Sequence, residues 1–316
     1  MDKVIENNAR SFDTLIDRII ELKNPTVVGL DPKLDYVPEF IKDKCVEKYG
    51  ANLKAAAAAI RKFNEKIIDE ICDIVPAVKP QSAYYEMYGY YGVKTLYKTI
   101  EYAKSKGMYV ILDGKRNDIG ATMDAYSAAY LGETDVFGQG EVAFGADALT
   151  VNGYLGSDCI NSTLNVINAG CGGIFVLVKT SNKSSGELQD RHLCDGKTIY
   201  ETMGDMCEKW GSDTIGKYGY SAVGAVVGAT YPQMLSKLRQ RMPHTFFLVP
   251  GYGAQGGGAE GVAGGFDKNG LGAIVNSSRA VMCAYKKENC PEKDFALAAR
   301  REAIRMRDDI TAHIAM

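Results

Sequence analysis

The sequence reads as one α/β domain folded as a (β/α)8 (TIM) barrel. Eight short apolar runs lack in/out alternation, which is how parallel strands covered on both faces look. Helical patterns lie between them, so strand and helix alternate along the chain. No linker divides the 316 residues, a length that one such barrel can fill.

The elements follow in order. An amphipathic helix over 11–22, within an N-terminal extension of 1–25, is expected to cap the barrel bottom. Strand one is 26–31 (TVVGLD), and a helical stretch over 52–74 contains the alanine run 55–59, explained by helix propensity alone. Strand two is 75–81 (VPAVKPQ), followed by a helix over 93–106. Strand three is 108–113 (MYVILD), strand four 148–152 (ALTVN) and strand five 173–179 (GIFVLVK). Strands six to eight are 222–228, 245–250 and 272–276, with a helix over 231–241 after the sixth. Two connections are over-long, 122–146 and 181–220, the second with a helical pattern over 197–210. Segments of that length in a compact domain are usually lids or decorations.

Composition narrows the function classes. Thirty-seven Lys and Arg against 39 Asp and Glu leave a net charge of −2. That balance argues against a nucleic-acid or membrane-surface binder. The tyrosines at 84, 85, 88, 90 and 91 therefore read as packing or interface residues. The eight cysteines form no CxxC pair, and there are only three histidines, so no structural metal is expected. Reduced thiols, the lack of a signal-peptide core in MDKVIENNAR and the lack of a membrane-length apolar run together predict a cytoplasmic protein.

Barrel active sites lie at the C-terminal strand ends. The polar residues there are Asp31, Lys79, Asp113 with Lys115, Asn152, Lys179 to Ser181, Pro250 and, past strand eight, Arg279. The densest group is 113–122, DGKRNDIGAT. Strand alternation points Asp113 and Lys115 the same way, and Asp118 falls where the next helix should begin, as its N-cap or as part of the site. Lys79 ends an apolar run, and a buried ammonium needs acidic partners. A Lys–Asp–Lys–Asp chain results, in which flanking carboxylates keep Lys115 charged, as a general acid and not a nucleophile. After strand seven, PGYGAQGGG (250–258) offers glycine N–H groups to an anion. Arg279 adds a permanently charged fork, so phosphate binding is expected.

These motifs together resemble the orotidine 5′-phosphate decarboxylase family, in its longer group. They are GLDP at 29–32, KPQ at 79–81, DGKRNDIGAT at 113–122, VNGYLG at 151–156, VKTSN at 178–182, VVGAT at 226–230 and PGYGAQGG at 250–257. The resemblance implies decarboxylation of orotidine 5′-monophosphate to UMP and CO2 without metal or cofactor. It implies that Lys115 protonates C6, Asp113 sits beside the departing carboxylate and Lys79 completes the charge chain. Asp118 and Thr122 would complete the neighbouring site of a homodimer, Asp31 would hold the ribose and Ser181 the pyrimidine. Pro250 would pack in the pyrimidine pocket, and Gln255 and Arg279 would hold the phosphate. Ser278 stands where many relatives have Gly, and Lys183 where they often have Pro. Asn152 is either a ligand or a structural hydrogen-bonder. The rivals are a magnesium-dependent sugar-phosphate enzyme of the same superfamily, a Schiff-base aldolase using Lys79 or Lys179, and a non-catalytic nucleotide-phosphate binder.

Overall fold

The computed structural model describes residues 11–168, 172–253 and 258–316. Eight strands close a parallel barrel in chain order: β1 Thr26–Leu30, β2 Ala77–Pro80, β3 Tyr109–Arg116, β4 Ala148–Val151, β5 Gly173–Lys179, β6 Val223–Val227, β7 Phe247–Pro250 and β8 Ala273–Ser277. The barrel read from the sequence is borne out.

The strand runs are apolar on both faces because two cores use them. Side chains one residue apart fall into different clusters. Val27, Ala77, Ile111, Ala148, Phe175, Leu248 and Ile274 belong to the barrel interior, and Val28, Val78, Leu112, Leu149, Val176, Val249 and Val275 to the shell beneath the helices. The N-terminal helix Ser11–Leu22 closes the bottom, with Phe12, Leu15, Ile16 and Ile19 buried in the interior cluster. The Phe12 ring lies 4.7 Å from Phe175 and 5.6 Å from Phe246, centroid to centroid. Burying four large side chains there removes the barrel floor from water and fixes the end opposite the site.

The alanine run is helical, in Leu53–Ile71, whose cap Asn52 accepts from the Ala55 N–H at 3.1 Å. The long 122–146 connection holds most of the helix Gly120–Tyr130 and an antiparallel hairpin, Thr134–Val136 with Gln139–Glu141. The 181–220 connection holds the predicted helix at Ile199–Gly211, started by a capping box between Thr198 and Glu201. Of the tyrosine group, Tyr85 and Tyr88 are buried in the shell, while Tyr90 and Tyr91 are exposed. Among the described residues, no helix is long and apolar enough to cross a membrane.

Candidate active site

Two residues beyond each interior position lies the next inward position, and in five strands that step reaches the chemistry. From Val27, Ala77, Ile111, Ala148 and Ile274 it leads to Gly29, Lys79, Asp113, Thr150 and Asn276. These form the top layer of the barrel, the floor of the mouth. Lys79 and Asp113 are 4% and 7% exposed. The Lys79 ammonium donates to Asp113 Oδ2 at 2.6 Å, and the Lys115 ammonium donates to Oδ1, also at 2.6 Å. Burial opposes the Asp113 charge, but Lys79 and Lys115 outweigh it and hold the carboxyl far below the usual carboxylate range. Burial likewise opposes the Lys79 charge, and Asp113 with Asp31 outweigh it, raising the ammonium above the ordinary lysine value.

Lys79, Asp113 and Lys115 thus meet as expected, though not by plain alternation. Along β3 the pairing jumps from Leu112↔Leu149 to Arg116↔Val151, so four residues of β3 advance only two of β4. The slack is a bulge, and Lys115 within it is left-handed at φ 48°. The lysine is thereby turned back onto Asp113 while its side chain stays half exposed.

The other predicted residues divide. Asp31 bears on Lys79 electrostatically, and its Oδ1 is buried without a hydrogen-bond partner among the described residues. Asp118 forms no ion pair among the described residues, and its Oδ1 accepts from the Ile119 N–H at 2.8 Å. The chain of four charges therefore has three members within one chain. Nor is Asp118 the N-cap, because the helix Gly120–Tyr130 starts one residue later and its cap is Ile119. Thr122 is exposed on the first turn of that helix. Ser181 is half-buried beside β6, where the backbone passes so close that a Cβ on Gly228 would meet Ser181 N at 3.0 Å. Pro250 ends β7, half-buried. Arg279 is exposed and shares a cavity of about 470 Å³ with Gly253, Lys286, Lys287 and the ion pair of Arg305 with Glu302, which leaves basic charge in excess. The loops after β7 and β8 therefore border one basic hollow. Gln255 lies outside the described residues.

Asn152 is exposed, and its Oδ1 accepts from the Tyr154 N–H at 3.0 Å. Lys179 is fully buried, but its ammonium leaves the barrel to donate to Asp190 at 2.6 Å, among the rings of Tyr200 and Tyr231. A register shift between Leu177 and Lys179 accompanies this turn. Ser278 packs against Gly29, where a Cβ would lie 1.9 Å from Ser278 Oγ, so the glycine of GLDP is sterically required. Sequence reasoning passed over Thr150 and Asn276, although the two-residue step from Ala148 and Ile274 marks both. Asn276 has a buried Oδ1 without a hydrogen-bond partner among the described residues.

A family model, Orotidine 5′-phosphate decarboxylase / HUMPS family, matches residues 28–290. The chain belongs to this family. It is 43% identical over 296 residues to the orotidine 5′-phosphate decarboxylase of Rhodopirellula baltica, covering 92% of this chain and 96% of that one. It is 39% identical over 302 residues to the enzyme of the same name from Caldicellulosiruptor bescii, covering 96% and 98%. The solved OMP decarboxylase of Leishmania donovani matches with a TM-score of 0.73 at 28% identity, over 96% of this chain and 98% of that one. The resemblance read from the motifs is borne out. As a member of the orotidine 5′-phosphate decarboxylase family, the chain keeps GLDP, KPQ and DGKRND on β1, β2 and β3, all opening on the same barrel mouth.

Proposed function

We propose that this enzyme decarboxylates orotidine 5′-monophosphate to UMP and CO2, the last step of de novo pyrimidine biosynthesis, as a cytoplasmic homodimer without metal or cofactor. The observation that carries the mechanism is the Lys79–Asp113–Lys115 array, with two ammonium groups on one buried carboxylate. When the bond from C6 to the carboxylate breaks, its electron pair stays at C6, in the ring plane and outside the π system. An ammonium fixed against that carbon lowers the energy of the developing charge and then gives up a proton to it. Lys115 takes this role, since its ammonium is the half-exposed end of the array. Asp113 sits where the substrate carboxylate must leave, and Lys79 holds Asp113 ionised. The Asp31 carboxylate accepts from the ribose hydroxyls, Ser181 bonds the pyrimidine and Pro250 packs against it. Gln255 and Arg279 bind the phosphate, whose binding energy, realised far from C6, can help exclude water. Asp118 and Thr122 reach the partner's site.

A magnesium-dependent sugar-phosphate reaction is disfavoured by charge. Asp113, the natural metal carboxylate of the mouth, already carries two ammonium groups, which would repel a divalent cation.

The test is the ultraviolet absorbance of orotidine 5′-monophosphate mixed with purified protein, with and without EDTA. Rapid loss of the orotate band, equal in both, is expected. Arg279→Ala should raise KM at least about tenfold, since a phosphate fork lost costs more than one hydrogen bond, while Lys115→Ala should abolish turnover. Equal losses of kcat with unchanged binding in both variants would overturn this division of labour.

A further inference from the structure

The left-handed backbone at Lys115 raises the question of what holds it there. A side chain with a Cβ at positive φ costs about 1–2 kcal/mol and persists only where its surroundings over-determine it. The bulge also removes the part-buried Lys115 N–H from the β3–β4 ladder, so its acceptor has to come from elsewhere.

Thr150, on β4, supplies it. The residue is 1% exposed and occupies the same interior layer as Lys79 and Asp113. Its Oγ1 accepts from the Lys115 N–H at 2.9 Å and donates to Asp113 Oδ1 at 2.9 Å. An amide N–H can only donate, so the hydroxyl must accept there, leaving its single proton for the carboxylate. One hydroxyl thus ties the Lys115 backbone to the Asp113 side chain. Asp113 receives the Lys115 and Thr150 donors on Oδ1 and the Lys79 donor on Oδ2, which fixes its plane as well as its position.

We propose that Thr150 is a positioning residue of the decarboxylation, its hydroxyl setting where the Lys115 ammonium and the Asp113 carboxylate stand relative to the reacting carbon. This rests on the reading of Lys115 as the proton donor. The hydroxyl does not reach substrate; it acts through its two neighbours. Proton transfer to carbon depends steeply on placement, and a displacement near 1 Å can cost about 100-fold in rate. Binding of the remote phosphate and ribose is indifferent to it.

The experiment compares Thr150→Val, which keeps the shape and removes the hydroxyl, with Thr150→Ser, which keeps the hydroxyl and removes the methyl. Expected are a loss of kcat of about 10- to 100-fold in Thr150→Val, with KM and UMP affinity within about twofold of wild type, and recovery of most of that loss in Thr150→Ser. Wild-type kcat in Thr150→Val overturns the proposal. So does Thr150→Ser as slow as Thr150→Val, which would assign the effect to packing. If Thr150→Val does not fold, as lost UMP binding would reveal, Thr150→Ser against Thr150→Ala carries the same comparison. Lys115→Ala is measured alongside. Residual wild-type turnover there would overturn the donor assignment itself, a failure separate from that of Thr150.

Discussion

Asp113 is a buried carboxylate that two ammonium groups keep charged, and its energetics follow from that inequality of numbers. Lys79 and Asp113 are nearly closed to water while Lys115 stays half exposed, so Asp113, with Asp31 behind it, is what makes the buried Lys79 ammonium tolerable there. The signs of the shifts fix the pH window. Asp113 is depressed on folding, so its contribution is present above the unfolded carboxyl value and is lost as pH falls. Lys79 is raised, so its contribution is present below the unfolded lysine value and is lost as pH rises through the folded one. Both are complete at neutral pH. Asp113→Asn should therefore remove turnover and also destabilise the fold, by about 3–5 kcal/mol at pH 7, the cost of leaving a buried charge without its partner. Urea unfolding of the variant against wild type checks this, and an unchanged midpoint would mean that Lys79 finds another acid. Lys79 and Asp113 were legible as a pair because each ends an apolar run, where an unpartnered charge is implausible. Thr150 was not, because a threonine in a strand looks like any β-branched core residue until its hydroxyl has named partners.

Elements were legible where burial dictated them. Strand starts fall within two residues of the sequence reading, since every strand is covered on both faces and its apolar run is continuous. The end of β3 was not, because a bulge leaves no mark in hydropathy, and the strand runs to Arg116 where the apolar residues stop at Leu112. The exposed hairpin at Thr134–Glu141 escaped for the opposite reason, having no buried face to impose a pattern. The helix Ile199–Gly211 carries its own start signal. Glu201 accepts from the Thr198 N–H at 2.8 Å and forms an ion pair with Lys237 at 2.6 Å. The Lys237 ammonium, then the Thr198 backbone N–H, bring its pKa from 4.5 down to about 2. A depressed acid contributes above its unfolded value and loses that contribution as pH falls. Glu201→Gln keeps an oxygen for the Thr198 N–H but removes the negative charge at the helix start, and should thus cost about 0.3–1 kcal/mol at pH 7. The deficit should shrink between pH 4.5 and about 2, the ordinary and shifted values. Denaturant midpoints at pH 7 and pH 3 test this, and an offset equal at both would rule the ionised cap out as its source.

At the scale of the molecule, the barrel has a sealed end and a reactive end, and the proposed dimer concerns the second. The helix Ser11–Leu22 fills the bottom with aromatic and aliphatic side chains. At the mouth, Asp118 stands apart from the three-charge array, although it belongs to the same ten-residue motif. Exposed apolar side chains follow both β3 and its neighbour β4, Ile119 next to Asp118 in the chain and Tyr154 with Leu155 past the end of β4. Such residues grouped beside a polar site are what an interface with a second copy would cover. The proposal that Asp118 serves a partner comes only from family resemblance, since no spacing rule tells a residue that serves its own chain from one that serves a second copy. The arrangement has an arithmetic consequence. If Lys115 of one chain works with Asp118 of its partner, Lys115→Ala and Asp118→Ala homodimers are both inactive, because every site has one defect. In a mixed dimer the two defects fall into the same site, and the other site is wholly wild type. Mixing equal amounts of the two variants under conditions that let subunits exchange should therefore restore about a quarter of wild-type activity, half the dimers being mixed and each having one working site. Asp118 serving its own chain predicts no recovery at any mixing ratio, because every site would still hold one defect. The assay needs only orotidine 5′-monophosphate absorbance before and after mixing, with the dimer fraction followed by sedimentation.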